Sequence, residues 1–157
     1  MRAISIEPLT AAAFAPFGEP LVPPISAGRA FFEGALASRR EAARPSLSLS
    51  RVEAAASLPV EARRMERHQF SSQSFVPMGD LAMLVIVAPH APQGGPDVSA
   101  ARAFLAEGGV GVTYGADVWH HPLTLLAAPA SLAVLMWRDG GPGDEEFVDV
   151  EPFLVRG

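Results

Sequence analysis

Glycine and proline fall so regularly along this chain that few windows are left long enough for a stable helix. There are 14 glycines and 15 prolines among 157 residues, well above the roughly 12% of average usage. Proline removes a backbone donor and clashes inside a helix, and glycine weakens helix and strand interiors alike. Short apolar runs sit between these breaks, which is the pattern of strands separated by turns. A β-rich fold is expected.

The runs can be placed one by one. Ile4-Ser5-Ile6 reads as a short strand. Thr10 then caps one or two helical turns over Ala11 to Phe14, stopped by Pro16 and Gly18. Residues 20–30 read as loop, and the Ala, Arg and Glu composition of 31–45 suits either a short helix or an irregular segment. Leu47 to Val52 alternates as a strand does, Leu58-Pro59 is a break, and residues 60–70 continue extended. Leu81 to Ala88 is a continuous apolar run suited to a buried strand. A helix is expected next, capped by Asp97 or Ser99, running through Ala100 to Ala106 and closed by Gly108-Gly109. Further strands follow at 110–114, 123–127, 132–137 and 147–150, with a tight loop over Gly140 to Asp144. No internal repeat or low-complexity linker interrupts 1–157, so a single domain is expected, built as a sandwich or small barrel of jelly-roll type with one or two short helices.

Missing residue types narrow the chemistry. The chain has no Cys, no Lys and no Asn, and all twelve basic residues are Arg. That excludes disulfides, zinc-thiolate sites, Cys nucleophiles, Schiff-base lysines and P-loop lysines. The net charge of −5 is the wrong sign for a phosphate-backbone binder, so no nucleic-acid partner is expected. The longest apolar run, Leu81 to Pro89, is less than half of the ~20 residues a spanning helix needs. Arg2, Glu7 and Pro8 break any early signal-peptide core, so a cytoplasmic protein without membrane attachment is expected.

Four histidines remain as candidates: His68, His90, His120 and His121. His90 lies in a Pro- and Gly-rich loop and reads as a solvated surface residue. On an extended strand, residues two apart share a face, so Glu66 and His68 lie together with Arg64 on the same side, while Met65 and Arg67 point away. A carboxylate beside an imidazole can ligate a divalent metal or act as an acid–base pair. His120 and His121 are neighbours and must face opposite sides, so only one can serve an interior site.

Small β-barrels of the cupin type carry a first motif H-x-H-x4-E-x5/6-G and a later P-x-G-x-x-H. Here Glu66-x-His68-x4-Gln73-x5-Gly79 and Gly115-x-Asp117-x-x-His120 follow the same spacings with substitutions. That resemblance puts Glu66, His68, Gln73 and His120 at the four ligand positions of a cupin-like jelly-roll β-barrel. The fuller strings ERHQFSSQSFVPM, DVSAARAFLAEGGVGVTY, VWHHPL and RDGG with acids after it resemble the ureidoglycolate lyase family, formerly called ureidoglycolate hydrolases. The resemblance runs from about Leu58 to Glu151. It is not continued in the segment Ile25 to Leu36, where the family carries an R-x-H-D element.

What the resemblance implies is a carbon–nitrogen lyase of allantoin and purine nitrogen catabolism, splitting ureidoglycolate into glyoxylate and urea. Such a reaction needs one base, one acid and a hold on the carboxylate. Glu66, His68 and His120, with Gln73 as a weaker donor, could hold nickel, manganese or zinc; without metal, Glu66 or His68 could be the base and His120 the acid. Tyr114 could donate a proton or hydrogen bond. Arg51 and Arg64 are the candidate carboxylate clamps, since arginine binds carboxylates in bidentate fashion. No organic cofactor is expected. The implied partners are a small hydroxy-acid substrate and a second copy of the chain in a homodimer. Two other readings stay open because of residues 25–36: a different small-acid cupin enzyme, and a non-catalytic cupin that binds a small ligand.

Overall fold

The computed structural model describes residues 1–157. Twelve strands account for most of the ordered backbone: β1 (Arg2–Pro8), β2 (Gly18–Leu21), β3 (Arg44–Val52), β4 (Val60–His68), β5 (Gln73–Pro77), β6 (Met83–Ala88), β7 (Arg102–Ala106), β8 (Gly111–Tyr114), β9 (Trp119–His120), β10 (Thr124–Leu125), β11 (Ala130–Arg138) and β12 (Glu145–Arg156). One helix, α1 (Ala11–Phe14), follows β1; the Thr10 side chain caps it by accepting from the Ala13 N–H. The molecule is a mainly β, cupin-like fold of two packed sheets. The five-stranded sheet has the order β2-β8-β5-β11-β3, and the seven-stranded one the order β10-β6-β7-β1-β12-β4-β9.

In the larger sheet, β9 also pairs with β6. The circuit β6-β7-β1-β12-β4-β9 therefore closes on itself. One apolar core, with Met65, Leu84, Ile86, Trp119, Phe153 and Val155 among its members, draws its side chains from the strands of this circuit. A second core, with Phe14, Phe75, Val85, Phe104, Val112 and Leu132, lies between the two sheets. β6 is shared: Met83, Val85 and Val87 enter the intersheet core, and Leu84, Ile86 and Ala88 enter the other. Burial on both faces is why this strand is written as an unbroken apolar run.

The helix expected over 97–108 is not formed. Asp97 does cap, but only a single 3₁₀ turn over Val98–Ala100, and Ala101 is already extended at φ −61°, ψ 143°. Residues 102–106 are instead β7, a central strand between β6 and β1. Ala103 goes to one core and Phe104 and Ala106 to the other. Burial on two faces outweighs the helix preference of an alanine-rich stretch, which is worth only a few tenths of a kcal/mol per residue. Gly108 and Gly109, at φ 66° and 80°, turn the chain after β7 rather than cap a helix. The undecided segment 31–45 is irregular up to the start of β3. It is held along residues 70–72 by Arg39 N–H to Phe70 O (2.6 Å) and Ser72 N–H to Ala37 O (2.9 Å).

Phe104 carries much of the intersheet packing. Its ring meets Phe14 edge-on at 5.6 Å, and the Arg102 guanidinium covers it at 4.9 Å. Phe104→Ala is expected to lower unfolding free energy by ~3–5 kcal/mol, read as a lower urea midpoint at unchanged slope.

Candidate active site

The alternation of β4 places its functional residues. Glu66 and His68 face the space between the sheets, whereas Met65 joins the other core and Arg67 stacks on Trp119 at 4.7 Å. β9 is only two residues long, yet its register is set twice, since His120 lies opposite Glu66 on β4 and opposite Val87 on β6. Trp119 consequently turns into the circuit's core and His120 to the side of Glu66 and His68. Gln73 opens β5, opposite Tyr114 on β8.

Five of the residues singled out in the sequence meet here. The ligand-capable atoms of Glu66, His68 and His120 all lie within 4.8 Å of one another, and all three residues are buried. His120 Nε2 is 3.3 Å from Glu66 Oε1 and 3.2 Å from Gln73 Oε1. Tyr114 stacks on the His120 ring at 4.0 Å and 9°. Burial, and after it the Glu66 charge, pushes the Tyr114 phenol well above its ordinary value, so it stays neutral.

The donor set passes a test for a cation. His120 Nδ1 faces the Val118 carbonyl at 2.9 Å, and a carbonyl can only accept, so that nitrogen carries the proton. In the neutral ring Nε2 then presents a lone pair toward Glu66 and Gln73 oxygens, a convergence that calls for a positive charge. His68 Nδ1 faces Asp144 at 3.4 Å, while its Nε2 is buried with no hydrogen-bond partner. An orphaned imidazole nitrogen beside a second imidazole and a carboxylate fits a metal ion.

The ureidoglycolate lyase family model matches residues 1–156. The chain belongs to the ureidoglycolate lyase family. The ureidoglycolate lyase of Burkholderia mallei is 40% identical over 152 residues, covering 91% of this chain and 86% of that protein. That of Azotobacter vinelandii is 37% identical, covering 99% and 98%, and ureidoglycolate lyase 1 of Rhizobium meliloti is 36% identical, covering 97% and 92%. Membership extends across the N-terminal segment where the family element was not recognised. No helix is long and apolar enough to cross a membrane.

The two arginines expected to clamp a carboxylate lie outside this cluster. Arg51 projects from β3 and is 60% exposed, paired with Glu53. Arg64 shares the nominal face of Glu66 but is 56% exposed and donates to Asp149 at 2.8 Å. Opposite it the ladder breaks, with a register shift in β12 between Asp149 and Phe153. Strand alternation assigned the face correctly, but could not locate where the cover ends. His90 lies at the surface as expected, with Nε2 2.7 Å from the Asp117 carbonyl. His121 points away from the cluster to Thr124 Oγ1 at 3.0 Å.

One residue was missed. Asp144, at the end of the Gly140–Gly143 loop, is buried; it accepts from the Phe70 N–H at 2.7 Å and from the Ser71 hydroxyl. Arg40 Nη2 lies 3.4 Å from it. A carboxylate held this way fixes the His68 ring and its tautomer, as outer carboxylates do for metal-bound histidines. The RDGG string with acids after it was the available signal, yet it cannot rank Asp144 against Glu145 and Glu146.

If the cluster holds a divalent ion, calorimetry with nickel, manganese or zinc should give one site per chain, absent in His68→Ala. Asp144→Asn should weaken it by ~10–100-fold. Burial also lowers the pKa of His68, aided by His120 and opposed by Asp144 and Glu66, and lowers that of His121. Each histidine then contributes stability that is present above its unfolded value of 6.5 and lost as pH falls through the lowered folded value. Thermal midpoints of metal-free protein should therefore drop as pH falls below about 6.5, and less steeply in His121→Gln.

Proposed function

We propose that this chain cleaves ureidoglycolate to glyoxylate and urea, a step of allantoin and purine nitrogen catabolism. The observation that carries the reading is the pairing of two buried imidazoles with opposite surroundings. The hydroxyl of the substrate loses its proton, the C–O bond becomes a carbonyl, and the C–N bond breaks with its electron pair passing to the ureido nitrogen. That nitrogen takes up a proton and leaves as urea. One base and one acid suffice.

His68 is suited to the base. Its lowered pKa leaves the ring neutral near pH 7, and its Nε2 lone pair is free. Asp144 beside Nδ1 then stabilises the imidazolium formed on proton uptake. His120 is suited to the acid by position, its Nε2 lying between the Glu66 and Gln73 oxygens on the same side as His68. Tyr114 holds the plane of that ring, and burial makes it a poor proton donor. Were a divalent nickel, manganese or zinc ion held on Glu66, His68 and His120, with Gln73 as a fourth donor, those imidazole nitrogens would be ligands in place of base and acid, and the ion would supply Lewis acidity toward the substrate's oxygens.

The carboxylate hold falls to a different arginine from those expected. A cleft of about 150 Å³ is lined by His68, Asp144, Trp137, Arg40 and Arg138. Arg40 is engaged with Asp139 and the Trp137 carbonyl. Arg138 makes no ion pair or hydrogen bond through its side chain, which leaves it for a substrate carboxylate. The same reading places the enzyme in the cytoplasm, acting as a homodimer on a small soluble acid.

A second reading, a related small acid as substrate, is favoured by one observation. Gly34 and Ala35, of the segment without the family's R-x-H-D element, line the largest cavity, about 540 Å³, together with Glu19 and Arg39. Purified protein should release glyoxylate from racemic ureidoglycolate above the spontaneous rate. His68→Ala and His120→Ala should each lower kcat/KM by ~10²–10⁴-fold, while Arg138→Ala should act mainly on KM. Activity surviving both histidine substitutions sinks the site; no release in any metal form favours the second reading.

A further inference from the structure

The five-stranded sheet ends on one side in β2, which is short, and on the other in β3, which is not. β3 pairs with β11 through nine successive residues, from Val52↔Ala130 to Arg44↔Arg138, without a bulge. Its other edge has no strand beside it. Long open edges are usually blunted by lysine, central proline or a bulge. β3 has Arg44 and Pro45 at one end and Arg51 at the other, which leaves residues 46–50 without charge, proline or bulge. Its outward face carries Leu47 and Leu49, 71% and 68% exposed. Leu135 and Ala133 lie directly beside them on β11, and Val76, also exposed, lies beside Ala133 on β5. An apolar strip thus crosses three strands and stops at an unpaired edge.

The sequence of that edge selects its occupant. Ser46-Leu47-Ser48-Leu49-Ser50 reads the same in both directions. An antiparallel copy centred on Ser48 sets Leu47 against the partner's Leu49 and Ser46 against the partner's Ser50. Paired residues then have the same parity, so outward N–H and C=O groups meet whichever alternate set carries them. Charges agree with this register. Arg51 falls opposite the partner's Pro45, and Arg44 opposite the partner's Val52. Glu53 falls opposite the partner's Ala43, so no like charges are directly opposed. An edge complementary to itself is what a two-fold interface requires.

We propose that two copies of this chain pair edge to edge through β3, antiparallel about a two-fold axis at Ser48, so that their five-stranded sheets become one continuous sheet. This rests on the homodimer reading above and on no part of the lyase reading.

The chain has no cysteine, so single introduced thiols report the register. Sedimentation of the full chain should give twice its 16.5 kDa mass. Ser48→Cys should cross-link to itself under mild oxidant. Ser46→Cys and Ser50→Cys should each fail alone, their like positions being roughly 13 Å apart, and should cross-link when mixed. L47K/L49K should weaken the dimer at least ~100-fold with unchanged far-ultraviolet circular dichroism. A monomeric wild type overturns both the homodimer and this surface. A dimer that resists L47K/L49K, and whose Ser48→Cys form does not cross-link, overturns the surface alone. Glyoxylate release, measured separately on the same samples, reports the lyase reading.

Discussion

The double pairing of β9 is the constraint on which the rest depends. His120 contributes its backbone to two ladders, against Glu66 on β4 and Val87 on β6. That pairing closes the six-strand circuit and seals Trp119 into the circuit's core. It also rotates the His120 imidazole to the opposite side, next to Glu66 and His68. Site and core are therefore two faces of the same short strand. A one-residue slip would exchange them, placing an indole among carboxylates and an imidazole in an apolar core.

Burying three ionisable side chains together is costly unless their polar atoms are answered. Most are: His120 by Val118 and Gln73, and His68 by Asp144, which is itself held by Phe70, Ser71 and Arg40. These supports come from the β11–β12 loop, the β4–β5 connection and the irregular segment before β3. The His68 Nε2 left unanswered is the atom on which both the proposed base and the proposed ligand role rest. Rigid strands hold the buried cluster, and loops supply the carboxylate and guanidinium behind it.

Much of the architecture could be read from residue patterns. Turn residues between short apolar runs located most strands, and the resemblance to the cupin motifs named Glu66, His68, Gln73 and His120, four members of the cluster. The stretch Ala100 to Ala106 misled because its alanines favour a helix locally, while burial against two cores decides the backbone globally. Arg51 and Arg64 misled differently. Parity gives the side of a strand but not how far along it the sheet stays covered. Asp144 could not be singled out because a carboxylate's role depends on what folds over it.

The sequence alone determined periodicity and chemistry: which stretches extend, which residue types can donate, accept or bind metal, and which classes of site cannot exist without Cys or Lys. Its palindromic edge segment, residues 46–50, likewise carries its own symmetry. Only the tertiary structure decided which candidates lie together, which arginine of the cleft beside His68 is left unpaired, and which acid stands behind His68. Side-chain identity and alternation are local properties of the chain. Burial, ion pairing and the closing of a strand circuit depend on contacts between residues far apart in sequence.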